Sequence, residues 1–79
     1  MTRDEVSRFA RLMEAKLKDN DHKGGWETDS TEHLLHKLEC ELFELKTAVE
    51  DGDSKKDIVS ECVDVGNFAM MIADKVLRE

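Results

Sequence analysis

Apolar residues recur along this chain at the three- and four-residue steps of amphipathic helices. Val6, Phe9, Ala10, Met13 and Leu17 form a first stripe and predict a helix over residues 3–18. Thr2, with Glu5 three residues on, fits a capping box at its start. A polar stretch over 19–29 follows, and its Gly24-Gly25 pair marks it as the one real loop. Leu35, Leu38, Leu42, Leu45 and Val49 then step as a heptad seam and predict a second helix over 30–50. Asp29 or Ser30 suits its N-cap, with Glu32 in the first turn, and Gly52 suits its C-terminal cap.

The third pattern, over 54–77, is broader. Ile58, Cys62, Val65, Ala69, Ile72 and Val76 make one stripe, and Val59, Val63, Gly66, Met70, Ala73 and Leu77 make a second beside it. Two adjacent stripes exceed what a surface helix needs. Such a helix is expected to be covered on two sides, one of them by another subunit. The expected fold is all-α: a three-helix protomer whose second and third helices form an antiparallel hairpin, with a four-helix-bundle-type core completed by oligomerisation.

Composition sharpens this picture. At 79 residues the chain is one small domain, and domains of this size usually need a staple, a metal or a partner subunit. No proline interrupts the helix-forming residues. The formal net charge of −7 argues against a nucleic-acid polymer and against an anionic membrane surface as partner. No apolar run approaches the roughly 20 residues of a transmembrane helix, and the early Asp4-Glu5 does not suit a signal peptide. Cys40 and Cys62 do not make a disulfide framework, so the expected compartment is the cytoplasm, with both thiols reduced.

Four charges crowd the apolar seam. Glu41 and Glu44 lie three apart on one face of the second helix and directly precede Leu42 and Leu45. Glu61 and Asp64 repeat this before Cys62 and Val65. In an antiparallel hairpin the two pairs can face each other. Like charges gathered at a half-buried site repel and resist desolvation, so a cation should neutralise them. Carboxylates are hard ligands, which suits Mg²⁺ or Mn²⁺. The plain alternative is four solvated helix-face charges.

Glu41-Leu42-Phe43-Glu44, then sixteen residues, then Glu61-Cys62-Val63-Asp64 resembles the E-x-x-E … E-x-x-D signature of the MazG-like all-α nucleoside triphosphate pyrophosphohydrolases. The flanks are similar too, in Leu38 to Leu45, in Ile58 to Asp74, and in Gly25-Trp26 ahead of the second helix. The resemblance spans roughly Lys23 to Arg78. It implies Mg²⁺-dependent cleavage of a (d)NTP to the monophosphate and pyrophosphate by a dimer or dimer of dimers. It assigns metal binding to Glu41, Glu44, Glu61 and Asp64, with Glu41 or Glu44 as general base. It assigns substrate contact to Trp26, Asn67 and Phe68. For Trp26 the other reading is a hydrophobic plug at the bundle end, and for Phe68 a core residue. The basic residue that members carry for the phosphates has Lys16, Lys18, Lys23, Lys75 and Arg78 as candidates here.

Other constellations compete weakly. His33, His36 and Cys40 share a helical face and suit Zn²⁺, but without paired C-x-x-C motifs. Asp19 to Gly24 begins like a calcium loop, yet Lys23 stands at a ligand position and Ser30 replaces the closing glutamate. The alternative function class is a non-catalytic helical module for oligomerisation, or for binding a nucleotide or a partner.

Overall fold

Each apolar pattern becomes a helix: α1 is Asp4–Asp19, α2 is Thr31–Glu50 and α3 is Lys55–Arg78. The computed structural model describes Met1–Glu79 and contains no strand. Ser30 and Ser54 open α2 and α3 as N-caps. Their hydroxyls accept from the backbone N–H of His33 at 3.0 Å and of Asp57 at 3.1 Å. The expected Thr2–Glu5 box does not form. Arg3 takes the extended N-cap backbone instead, one residue later, and no side chain caps the helix.

The turn between α2 and α3 is fixed by its hydrogen bonds. Asp53 N–H donates to the Ala48 carbonyl at 3.0 Å, and Gly52 N–H to that of Val49 at 3.2 Å. This six-to-one and five-to-two pair is a Schellman cap, and it places Gly52 at φ +67°, where a side chain would be strained. The chain therefore reverses within four residues, and α3 returns antiparallel along α2. The 19–29 connection is not plain loop, since a 3-10 turn occupies Asp21–Lys23.

The heptad seam of α2 is only partly packed, through Leu38 and Leu45. Leu34 and Ala48 are buried, and Leu38, Glu41 and Leu45 are half-buried between them. Leu35, Leu42 and Val49 stay exposed. The packed face is thus rotated about one residue from the expected seam, with Glu41 at its centre. Both α2 and α1 pack against α3, so part of the breadth of its apolar surface is used within the chain. Val63 is its buried apolar residue.

Gly66 sets how closely α1 approaches α3. A Cβ there would lie 2.9 Å from Phe9 Cε2 and 3.1 Å from Cζ, closer than carbon atoms tolerate. The next residue, Asn67, donates from Nδ2 to the Met13 carbonyl at 3.3 Å. Gly66→Val is expected to push α1 off this contact. The overpacking should destabilise by roughly 1–3 kcal/mol, outweighing the few tenths gained in helix propensity. Thermal melts, together with limited proteolysis in the 19–29 connection, check this. An unchanged melt with unchanged cleavage would show that α1 does not depend on the contact.

Candidate metal centre

The antiparallel return of α3 brings Glu61 and Asp64 opposite Glu41. One ligand oxygen from each of the three lies within 4.8 Å of the others. Glu44 is the fourth carboxylate of the expected set. It is exposed, stands outside that triad and lies close enough to the carboxyls of Glu41 and Glu61 to disfavour their ionisation. Beside the triad opens a cleft of about 410 Å³, lined by Phe43, Glu44, Thr47, Asp57, Ser60 and Glu61 among others.

Burial and repulsion both disfavour ionisation here. Glu41 is raised from the usual 4.5 to about 7, chiefly by desolvation, then by its hydrogen bond with Glu44 and by the charges of Asp64, Glu44 and Glu61. Glu61 is raised for the same reasons, desolvation first, against an opposing pull from Lys16. That lysine is the one cation the fold supplies. Reaching from α1, its Nζ lies 3.1 Å from Asp64 Oδ1 and donates to Ser60 Oγ. A single ammonium does not satisfy the cluster, because Glu41 Oε2 and Glu61 Oε2 are buried with no hydrogen-bond partner. Orphaned buried oxygens on converging carboxylates, all hard donors, fit a divalent cation of the Mg²⁺ or Mn²⁺ type.

The remaining candidates fall elsewhere. Phe68 is half-buried one turn along α3 from Asp64, with Lys37 Nζ 6.0 Å from its ring centre. Asn67 is buried. Its amide binds α1 through Met13, and its Oδ1 has no partner. Trp26 is half-buried, and its indole N–H donates to Asp74 Oδ2 at 3.1 Å. That bond, with help from Arg78, holds the Asp74 carboxyl below the usual range. Asp74 is ten residues beyond Asp64, about 15 Å along the helix, so Trp26 is not brought to the carboxylates. Lys23 is exposed at the end of the 3-10 turn, without a side-chain hydrogen bond. Lys75 donates to the Glu27 carbonyl and Arg78 pairs with Asp74, so both serve the Trp26 end.

Lys16 and Ser60 are the participants that helix periodicity did not single out for this cluster. Lys16 had stood only as a phosphate-binding candidate. Its actual role depends on how α1 crosses α3, which no spacing within α1 encodes. On the zinc alternative, Cys40 Sγ lies 3.8 Å from His36 Nε2, with no third ligand gathered there. No helix is long and apolar enough to cross a membrane. Compared with protein-family models, with curated proteins and with solved structures, the chain matches none.

Proposed function

We propose that the chain is a Mg²⁺-dependent nucleotide pyrophosphohydrolase that works as a homo-oligomer, cleaving a (d)NTP to the monophosphate and pyrophosphate. The observation that carries this reading is the pair of orphaned oxygens, Glu41 Oε2 and Glu61 Oε2, inside a triad of converging carboxylates. Buried carboxylate oxygens without a protein partner call for an ion or an ordered water, and three converging carboxylates favour the ion. The reaction class is what the resemblance of the E-x-x-E … E-x-x-D motif to the MazG-like pyrophosphohydrolases implies.

Glu41, Glu61 and Asp64 would hold the cation, with Mn²⁺ an acceptable substitute. When bound, the cation offsets the triphosphate's charge and lowers the pKa of water on it. The chain's own residues do the rest. Glu44 stands at the rim, exposed to the cleft and close to Glu41 and Glu61. That position suits a base that orients water toward the α-phosphorus and accepts its proton. Glu41 takes this role less readily, because it lies within the triad. Lys16 fixes the Asp64 carboxylate and so steadies one wall of the site. The acidic cleft repels a free triphosphate, which makes the reaction strictly dependent on divalent cation.

Incubation with a panel of NTPs and dNTPs tests this. Pyrophosphate should appear with millimolar Mg²⁺ and vanish with excess chelator, and the nucleotide product should be the monophosphate. Release of inorganic phosphate, with a diphosphate left behind, would assign a different bond. No turnover of any nucleotide would leave the non-catalytic helical module as the better reading.

A further inference from the structure

The cleft beside the carboxylates has a one-sided chemistry. Its polar lining is the carboxylates of Glu44, Asp53, Asp57 and Glu61 and the hydroxyls of Thr47 and Ser60, and no lysine, arginine, histidine or amide side chain lines it. Ionised carboxylates only accept hydrogen bonds. Its apolar lining is Ala48, which is buried, and Phe43, which is 69% exposed. The other aromatic side chains are engaged elsewhere. Phe9 lies against Gly66, Phe68 lies under Lys37, and Trp26 is tied to Asp74. Phe43 is therefore the aromatic face that the cleft offers. Asp57 sits in the first turn of α3, where the helix dipole favours an acid. The dipole accounts for that charge and leaves the exposed ring of Phe43 unexplained. The carboxyls of Asp53 and Asp57 enter no ion pair within the chain.

We propose that this cleft is a nucleobase subsite that selects guanine, with Phe43 stacking on the ring and Asp57 accepting from its Watson–Crick edge. Phe43 thus takes the stacking role that the sequence resemblance gave to Trp26. An exposed aromatic face accepts any base by stacking. The chemistry of the edge then selects among bases. Guanine presents N1–H and the N2 amino group side by side. One carboxylate can accept both with its two oxygens, as it accepts the fork of an arginine. The neighbouring O6 can take the Thr47 hydroxyl. Adenine and cytosine set a ring-nitrogen acceptor beside their amino group, and that acceptor faces the carboxylate unfavourably. Uracil and thymine present one N–H between two carbonyl oxygens, which a carboxylate repels. The register also fits. Asp57 lies one turn before Glu61, about 6 Å along α3 toward the interhelical turn. A ribose sets a comparable offset between an α-phosphate held at the triad and its base. This inference rests on the nucleotide reading above and names the base that the site takes.

Titration of metal-free protein with guanosine and with uridine, followed by NMR of the Phe43 ring and the Asp57 amide, tests the subsite without turnover. Guanosine should move both signals, and uridine should bind at least tenfold more weakly. Phe43→Ala should weaken guanosine binding roughly tenfold or more, the usual loss for one stacked base. Asp57→Asn replaces one acceptor of the pair by a donor and should cut the preference for guanosine tenfold or more. Both residues are exposed, so neither variant should change the helical circular dichroism. In pyrophosphate release, kcat/KM should favour GTP over UTP by tenfold or more, and Phe43→Ala should act mainly through KM. No binding of guanosine, equal binding of the two nucleosides, or a guanosine affinity indifferent to Phe43→Ala would overturn the proposal. The two readings fail separately. Selective guanosine binding without turnover of any nucleotide would sink the enzyme and leave the subsite, whereas equal turnover of all bases would keep the enzyme and overturn the subsite.

Discussion

Glu61→Gln is expected to abolish pyrophosphate release, by a hundredfold or more, while leaving helical content and subunit count unchanged. Glutamine keeps the size and helix propensity of the residue and removes the charge that would hold a cation. Loss of one electrostatic stabiliser of a phosphoryl-type transition state typically costs two to three orders of magnitude. Glu61 Oε2 is an orphaned buried acceptor beside two other carboxylates, so removing its charge should not harm the fold. Metal-free stability should rise slightly, because one repelling charge leaves. Glu14→Gln, on an exposed position of α1, is the matched control and should keep nearly full activity. Steady-state pyrophosphate release and circular dichroism on the same samples decide the matter. If the two variants lose activity equally, or if Glu61→Gln unfolds, the triad is a structural pairing and not a site.

Metal-free protein should lose stability as pH rises from about 4.5 to 7. The sign follows from Glu41, whose folded pKa of about 7 stands above the ordinary 4.5. Between those values the native state binds more protons than the unfolded one, so stability falls with pH. The contribution is full below about 4.5 and gone above about 7. Glu61 is raised as well and acts in the same direction. The carboxyls are partly solvated, so solvent screening reduces the combined effect to roughly 1–2 kcal/mol. In a domain of this size that is about 5–10 °C in Tm. Millimolar Mg²⁺ or Mn²⁺ should reverse the trend, because ligands bind deprotonated and stabilisation by mass action grows with pH. Glu41→Gln should flatten the metal-free profile. Thermal melts at matched ionic strength, from pH 4.5 to 8, check all three outcomes. Equal shifts from NaCl would reduce the effect to screening.

How much of this was legible in the residues differs by level. Helix positions were, because proline-free stripes and serine caps act locally. Ser30, Ser54 and Gly52 work through their own turns, as capping chemistry requires. The Thr2–Glu5 motif failed although it has the same form. The convergence of Glu41 with Glu61 and Asp64 was also legible, since a short turn and a common spacing fix the register of a hairpin. The face of α2 that meets α3 was not. Leu35, Leu42 and Val49 read as core, yet a seam of leucines does not name its neighbour, and the apolar residues that α2 buries are Leu34 and Ala48 instead. Lys16 was beyond reach for a related reason. Its bond to Asp64 spans 48 residues and depends on the close approach at Gly66.

The order in which these contacts join the chain also orders folding. α2 and α3 are sequence neighbours, and most of the helix–helix contact is between them. Closing a short loop is fast and entropically cheap, so the hairpin is expected to zip first. α1 must wait for contacts to α3 that reach across 44 to 54 residues. All three carboxylates of the triad belong to the hairpin, whereas the lysine that offsets them arrives with α1. The nascent hairpin therefore gathers its negative charge before any internal counter-charge is in place. Its early barrier should be lower in mild acid, or in the presence of a divalent cation, than in neutral buffer alone.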